Sequence, residues 1–351
     1  QEITEFSCAD IASALQHMAT TLQPYQAQVH AIVHRVVHGG ALLSAPLRLS
    51  KETVEALRPL NALAPLHNPA NLQGIELCEK LFPAVTQFAV FDTAFHSTLP
   101  PQAYRYAIPA SWHALGVRRY GFHGNSHLHV ARKAAQSLRK PLHACNLITL
   151  HLGNGASVTA IAQGKSVDTS MGFTPLEGLV MGSRGGDLDS GIPGFISTQT
   201  GKPLAAIEHD LWHESGLKGL AGCNDMRQLQ ARADQGDADA ALAIDLFCYR
   251  ARKYIGAYLA VLGQVDAIVF TGGIGENAAL IRERIAGPLR ALSIYLDSDR
   301  NKQVNLAASP SNDGGCEVAS APDSPIAVLV IATNEELEMA QQVADLLAVE
   351  G

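Results

Sequence analysis

The sequence lacks the features of nucleic-acid-binding and membrane proteins. No block of basic residues occurs, and the formal net charge of the 351 residues is −7. We therefore expect neither nucleic acid nor an acidic membrane surface among the partners. No apolar run approaches the roughly 18 residues that a membrane-spanning helix needs, and no signal-peptide pattern is visible.

Paired cysteines are absent as well. The six cysteines are scattered along the chain, and none belongs to a C-x-x-C pair. This distribution argues against a zinc site and for reduced thiols in a cytoplasmic protein. The chain begins with Gln1 instead of Met, and we expect that an upstream piece is absent from this sequence.

The composition is that of a globular protein, since 47% of the residues are hydrophobic and 17% are charged. The length allows two domains, each with its own core. Short apolar runs alternate with helical stretches in both halves, which predicts two α/β domains with a cleft between them. We also expect a loop over residues 216–222 and a helix that begins at Asn277 after a glycine turn.

Residues 146–184 form the most informative stretch. An apolar run over residues 147–150 meets a Gly-Asn-Gly turn at residues 153–155, and alternating apolar residues follow up to Ile161. This pattern predicts a β-hairpin. Such a turn lets backbone N–H groups approach an anion, and further donors are available from Asn154, Ser157, Thr159 and Arg184. The turn alone is compatible with phosphate binding and with an ordinary hairpin.

Two charged side chains lie at the ends of predicted strands. Arg35 is near the end of a strand over residues 29–37, and Asp92 closes a strand over residues 87–92. Ligands of open α/β sheets collect beyond the carboxyl ends of the strands, so both residues are candidates for a site. The alternatives are a surface ion pair for Arg35 and a helix N-cap for Asp92.

Three histidines, His123, His127 and His129, resemble a metal site by number alone. They lie in a glycine-containing loop at the start of a helix over residues 128–137. A helix N-terminus favours anions over cations. We therefore favour an anion-binding role for this segment over a metal site.

Three glycine-containing segments are candidates for nucleotide binding. Gly164-Lys165-Ser166 resembles the end of a P-loop, but Thr159 stands where the first glycine belongs and no helix can follow between two strands. Residues 273–278 match the G-x-G-x-x-A of an NAD-dependent dehydrogenase, although Glu276 would then face a pyrophosphate. In the third interpretation, the hairpin turn binds the phosphates of a nucleotide and residues 272–277 bind its adenosine.

Taken together, the motifs resemble those of the acetate kinases, in the superfamily of acetate and sugar kinases, Hsc70 and actin. They follow the family's order from residue 29 onward and read HRVVHGG, APLHNP, FDTAFH, YGFHGNSH, HLGNGAS, SVDTSMGFTPLEG, FTGGIGEN and ATNEE. The resemblance implies an α/β fold of two actin-like (ribonuclease H-like) domains, residues 1–94 with 336–351 and residues 95–335. It also implies a homodimer and the reversible, Mg²⁺-dependent (or Mn²⁺-dependent) conversion of acetate and ATP to acetyl phosphate and ADP.

By motif match, the resemblance implies particular catalytic roles. Arg35 and Arg184 bind the carboxylate and the transferred phosphoryl group, and Asp92 is the active-site carboxylate. His123 stabilises the transition state, and Glu335 holds Mg²⁺. The residues implied to line the ATP site are His151, Leu152, Gly153, Asn154, Gly155, Asp225, Met226, Arg227, Gly273, Ile274, Gly275, Glu276 and Asn277. The residues implied to form the apolar pocket for the acetate methyl are Val37, Leu66, Phe122 and Pro175.

The sequence departs from the family pattern in three places, and none removes a proposed catalytic side chain. The opening strand and N-x-G-S-S-S loop are missing, Asn125 replaces a threonine, and SRGGDLDSG replaces TRSGDxDPG. The alternatives are a kinase of propionate or another short-chain carboxylate, the dehydrogenase, and an actin-like nucleotide-binding module without activity. Relatives that prefer propionate tend to carry alanine at the position of Val37, so valine indicates acetate.

Overall fold

The structure is a computed structural model that describes residues 11–64, 67–306 and 315–350. Leu66, predicted for the methyl pocket, lies outside these residues. The strands of the described part are β1 (Ala31–Val36), β2 (Leu47–Arg48), β3 (Thr86–Phe91), β4 (Leu147–Leu152), β5 (Ala156–Ala162), β6 (Lys165–Thr169), β7 (Ala267–Thr271), β8 (Cys316–Val318) and β9 (Ala327–Ile331).

The helices connect and cover these strands. The α-helices are α1 (Ile11–Leu22), α2 (Lys51–Leu57), α3 (Asn68–Leu81), α4 (Pro101–Tyr104), α5 (Ala110–Ala114), α6 (Gly124–Ser137), α7 (Ile192–Thr200), α8 (Leu204–His213), α9 (Gly216–Ala221), α10 (Met226–Asp234), α11 (Ala238–Leu262), α12 (Gly272–Asn277), α13 (Ala279–Ala286), α14 (Ser298–Gln303) and α15 (Glu335–Glu350). The 3₁₀ helices are Gln23–Gln28, Arg58–Ala62, Ala94–Thr98, Leu142–Ala144 and Gly287–Leu292. None of the helices within the described ranges is long and apolar enough to cross a lipid bilayer.

The chain divides into two compact units, and the first comprises Gln1–Ala94 and Glu336–Gly351. Its sheet has the order β1-β3-β2, with β1 parallel and β2 antiparallel to β3. Successive side chains of a strand face opposite sides, so Phe88 and Val90 pack against α15 while Phe91 packs against α2 and α3. Both faces of β3 are therefore buried.

The second unit is Phe95–Glu335. Its sheet has the order β6-β5-β4-β7-β9-β8. Strands β4, β5 and β6 are antiparallel neighbours, whereas β7 is parallel to both β4 and β9. Helix α6 packs against one face through Val130, Ala131 and Ala134. Since β4, β7 and β9 run in one direction, their carboxyl ends meet at one edge, which we call the ligand edge.

The predicted hairpin is present, and its register fixes the turn. Leu152 pairs with Ala156, and the Gly153 N–H donates to the Gly155 carbonyl at 2.9 Å. The turn therefore uses the Gly153 N–H itself, and only the rest of the tip is available to an anion.

Two local predictions are wrong. Gly216–Ala221 is helical instead of a loop, and Gly272–Asn277 is a short helix where a glycine turn and a later helix were expected. In the second case the Glu276 carboxylate accepts hydrogen bonds from the Gly272 N–H at 2.9 Å and the Thr271 hydroxyl at 3.3 Å. These bonds offset the poor helix propensity of glycine.

Candidate active site

In the first unit, Arg35 and Asp92 form a bidentate ion pair. Arg35 Nε donates to Asp92 Oδ1 at 2.8 Å, and Nη2 donates to Oδ2 at 2.7 Å. The Asp92 side chain is 2% exposed, whereas that of Arg35 is 46% exposed. The parallel pairing of β1 and β3 places both residues at the same end of the sheet. The buried carboxylate thus fixes the orientation of the Arg35 guanidinium.

The loop after β1 is held by side chains from α3 and from the end of β3. Asn71 Oδ1 accepts from the Val37 N–H at 3.2 Å, and Asn68 Oδ1 accepts from the His38 N–H at 3.1 Å. β1 ends at Val36, so Val37 lies one residue beyond the strand. The strand predicted over residues 29–37 is therefore one residue too long at its end, and strand geometry does not fix the direction of the Val37 side chain.

In the second unit, His123 lies between two other polar groups. It precedes α6 with a left-handed backbone, φ 57°, which is uncommon for a residue other than glycine. His123 Nδ1 is 2.8 Å from Ser157 Oγ, and its ring stacks on His151 with centroids 4.3 Å apart. The sequence indicated Ser157 as a hydrogen-bond donor of the hairpin, but not its contact with His123, because that contact forms only when the segment before α6 packs against β5.

Arg184 is a desolvated cation beside His123. Its Nη1 donates to the Pro175 carbonyl at 2.8 Å, and burial lowers the pKa of Arg184 to about 10. Among the described residues no carboxylate lies within ion-pair distance of it. A methyl group placed on Gly155 would lie 2.9 Å from Arg184 Nη2 and 3.3 Å from His123 Nε2. The hairpin turn, Arg184 and His123 therefore converge on one point, where a desolvated cation is suited to an anion.

The predicted nucleotide residues assemble along the ligand edge. His151 on β4 pairs with Thr271 on β7, so the hairpin turn and α12 follow neighbouring strands. A Cβ on Gly272, whose φ is 77°, would lie 2.8 Å from the Leu152 carbonyl, and only glycine allows this approach. The structure thus brings the 151–155 and 273–277 segments together, with Ile274 and Gly275 inside α12.

The Glu276 carboxylate points back onto the backbone. Besides Gly272 it accepts from the Thr333 N–H at 2.9 Å, so it ties α12 to the segment after β9. In a dinucleotide fold the N–H groups at the start of this helix would face a pyrophosphate. Here the carboxylate already occupies the Gly272 N–H, which argues against the dehydrogenase interpretation.

Asp225 is the N-cap of α10. Its Oδ1 accepts from the Arg227 N–H at 2.9 Å, and its Oδ2 accepts from Arg227 Nη2 at 2.7 Å. These bonds lower the pKa of Asp225 to about 2. The Arg227 side chain is 91% exposed, whereas Met226 is buried. Asn224 Nδ2 lies 3.4 Å from Asn154 Oδ1, which places this segment next to the hairpin turn.

Glu335, which the motif resemblance assigns to Mg²⁺, is the first residue of α15. It follows β9 at the ligand edge and is half-buried. No group of three or more His, Cys, Asp or Glu side chains within the described ranges could hold a metal. Mg²⁺ characteristically uses one or two carboxylates together with water and substrate phosphates. The assignment of Glu335 to Mg²⁺ stays a prediction from the motif resemblance.

The loop that carries Pro175 is fixed by a pair of charges 58 residues apart in sequence. Arg119 Nη2 donates to Glu177 Oε1 at 2.5 Å, and Arg119 Nη1 donates to the Thr169 carbonyl at 3.0 Å. The Tyr106 hydroxyl also donates to Glu177. Burial opposes the Arg119 charge, but Glu177, Tyr106 and Tyr258 together outweigh burial and raise the pKa of Arg119.

We expect Glu177→Ala to destabilise the fold by about 3–5 kcal/mol, because the Arg119 charge would remain partly buried without its partner. Urea unfolding measures this change. The matched control is Glu214→Ala, which removes an exposed partner of Lys218 at 2.7 Å and should cost at most about 1 kcal/mol. Equal losses for both variants would contradict the importance of the Arg119–Glu177 pair.

Comparison with known proteins finds that this chain is similar in sequence to acetate kinases. A sequence model of the acetokinase family matches residues 1–341. An acetate kinase of Syntrophobacter fumaroxidans is 52% identical over 310 residues, covering 88% of this chain and 74% of that protein. An acetate kinase of Deinococcus radiodurans is 52% identical over 318 residues, covering 90% and 78%.

Solved structures agree with the sequence matches. The acetate kinase of Porphyromonas gingivalis has a TM-score of 0.91 at 38% identity, covering 97% of this chain and 86% of that one. A propionate kinase from Francisella tularensis has a TM-score of 0.89 at 41% identity, covering 96% and 85%. The close structural neighbours thus act on two short carboxylates.

Proposed function

Since this chain belongs to the acetokinase family, we propose that it transfers the γ-phosphoryl group of ATP reversibly to the carboxylate of acetate. The predicted family and its two-sheet actin-like α/β fold are confirmed. The observation that carries the mechanism is the desolvated Arg184, which lies beside His123 at the tip of the hairpin and has no carboxylate partner in the described part of the chain.

In the proposed reaction, an acetate oxygen attacks the γ-phosphorus. One P–O bond forms to the carboxylate while the bond to the β-phosphate oxygen breaks, and ADP leaves. Such a reaction needs little covalent help from the protein, because positioning and charge stabilisation supply most of the catalysis. Arg184 offers a planar fork to the equatorial phosphoryl oxygens, and His123 donates from Nε2.

Arg35 and Asp92 act on the acceptor. Asp92 fixes the orientation of the Arg35 guanidinium through Nε and Nη2, and we assign this guanidinium to the acetate carboxylate. Glu335 would hold Mg²⁺ or Mn²⁺, which would supply positive charge to the ATP phosphates when bound. His151–Gly155, Asp225–Arg227 and Gly273–Asn277 line the ATP site in this proposal.

Thermal unfolding with nucleotides tests the class of enzyme. ATP with Mg²⁺ should stabilise the protein by about 2.7 kcal/mol at a hundredfold excess over Kd, whereas NAD should leave the melting temperature unchanged. Stabilisation by NAD alone would favour the dehydrogenase interpretation.

Val37 tests the choice of carboxylate. We propose that Val37, with Leu66, Phe122 and Pro175, limits the pocket for the methyl group. One methylene in an apolar pocket is worth roughly 1–3 kcal/mol of discrimination. Val37→Ala should therefore raise the ratio of kcat/KM for propionate over acetate by about tenfold.

The neighbouring Val36 provides the matched control. It is 1% exposed in the core of the first unit, so Val36→Ala should lower the melting temperature and leave the substrate ratio unchanged. An unchanged ratio in Val37→Ala, accompanied by lower stability, would make Val37 a packing residue. If the wild-type enzyme prefers propionate, then propionate is the substrate and the assignment of acetate is wrong.

We propose further that the two compact units are the two domains of the kinase, and that the protein is a cytoplasmic homodimer. The motif resemblance supports all three statements. The five cysteines within the described ranges are free thiols, as a reducing compartment requires. Light scattering during gel filtration, which measures mass directly, tests the homodimer.

A further inference from the structure

Ser157 joins two histidines of the second unit. Its hydroxyl oxygen is fully buried and lies 2.8 Å from His123 Nδ1 and 2.8 Å from His127 Nε2. A hydroxyl has one hydrogen, so it donates to one of these nitrogens and accepts from the other. The proton positions on the two rings are therefore linked.

Thr149 determines the direction of this link. Its hydroxyl is fully buried and lies 2.7 Å from His127 Nδ1. In the described part of the chain the Thr149 hydroxyl has no second hydrogen-bond partner. Because a buried hydroxyl hydrogen without an acceptor is costly, Thr149 donates to His127 Nδ1. The neutral His127 ring then carries its proton on Nε2.

The remaining proton positions follow in order. His127 Nε2–H donates to Ser157, and the Ser157 hydroxyl donates to His123 Nδ1. A neutral His123 consequently carries its proton on Nε2. That nitrogen lies 3.3 Å from the point where a Gly155 Cβ would be, next to Arg184 Nη2. The chain of hydrogen bonds thus ends in an N–H beside the predicted phosphoryl position.

The surroundings favour neutral rings. His127 is fully buried, and burial, with smaller effects from His96 and His151, holds the pKa of His127 well below its usual value. His123 faces the stacked His151 ring and the Arg184 guanidinium. A second positive charge on His123 would be repelled by Arg184, whereas a neutral N–H donor is not.

We propose that Thr149, His127 and Ser157 are positioning residues that hold His123 as the neutral tautomer with its proton on Nε2. The proposal rests on the proposed function only for its catalytic consequence, because the tautomer is a property of the resting protein. It assigns a purpose to His127, the second histidine of the GFHGNSH segment. The arrangement supplies a fixed donor to a phosphoryl oxygen, and such preorganised donors stabilise developing charge in the transition state.

Nuclear magnetic resonance of the protein labelled with ¹⁵N-histidine tests the tautomer directly. Nδ1 of His123 should give the signal of an unprotonated ring nitrogen and Nε2 that of a protonated one, with assignment by difference from His123→Asn. His123 protonated on Nδ1 at neutral pH, either as the other tautomer or as the imidazolium, would overturn the proposal. This result does not depend on turnover, so failure of the kinase function would be distinguishable.

Variants of Ser157 test the catalytic consequence. Ser157→Ala removes the donor to His123 Nδ1 and should lower kcat about tenfold, the equivalent of one hydrogen bond, with little change in KM for ATP. It should also shift His123 toward mixed tautomers. Ser157→Thr keeps the hydroxyl and should restore both kcat and the spectrum.

Ser166→Ala is the matched control. Ser166 is also fully buried and lies 2.9 Å from a histidine nitrogen, Nδ1 of His96, but it does not belong to this chain of hydrogen bonds. The kcat of Ser166→Ala should stay within about twofold of the wild-type value, a change much smaller than the loss of one hydrogen bond would cause. A Ser157→Ala enzyme with wild-type kcat and an unchanged His123 spectrum would overturn the positioning role.

Discussion

Arg184→Ala should lower kcat by about a thousandfold or more, because arginines and other preorganised donors in phosphoryl transfer contribute effects of this size. The melting temperature should stay the same or rise. Burial lowers the pKa of Arg184 to about 10, which means that folding holds this charge at a cost instead of gaining stability from it. Steady-state kinetics and thermal unfolding measure the two effects.

Two further arginine variants sharpen this test. Arg184→Lys keeps the charge but loses the planar fork, so it should recover only part of the rate. Arg284→Ala removes an arginine paired at 2.9 Å with the exposed Asp245, and its kcat should match wild type. An Arg184→Ala enzyme that retains its turnover but loses stability would make Arg184 a structural residue.

Asp92→Asn should lower kcat/KM for acetate by about a hundredfold, since misplacing a positioning group costs roughly that much. The asparagine has nearly the shape of Asp92 but cannot accept both hydrogen bonds that Arg35 donates. The guanidinium is then free to turn away from the acetate. KM for ATP should change little, because the proposed ATP residues belong to the second unit.

A double-mutant cycle with Arg35→Lys separates orientation from charge. Lysine cannot form the bidentate pair, so most of the loss in Asp92→Asn should already be present in Arg35→Lys. The double variant should therefore lose much less than the two single losses combined. Additive losses would mean that Asp92 acts independently of Arg35.

Patterns confined to one element were predictable from the sequence. The hairpin followed from alternation around residues 153–155. Ser50 directly before α2 is a typical N-cap residue, and it forms a capping box with Thr53. Helix α9 was missed because Gly216 and Gly219 lower helix propensity, and only the fold around them decides the outcome. Helix α12 was missed for the same reason. Its glycines have a low helix propensity, which the hydrogen bonds to the Glu276 carboxylate offset.

Contacts between distant segments were not predictable. Arg119 and Glu177 are separated by 58 residues and His127 and Ser157 by 30, and each pair meets only when the second sheet has formed. The row His123, His127 and His129 resembled a metal site in the sequence. In the structure His127 is hydrogen-bonded to Ser157 and Thr149. Its place in the first turn of α6 was the only sign in the sequence that it is a buried residue of a helix and not a metal ligand.

Formation of acyl phosphate tests the proposed kinase activity. The protein is incubated with ATP, Mg²⁺ and acetate, and the product is trapped with hydroxylamine. We expect acetyl hydroxamate in amounts equal to the ADP released, and about a thousandfold less of both products in Arg184→Ala. ADP released without hydroxamate, or equal product from wild type and Arg184→Ala, would contradict this expectation.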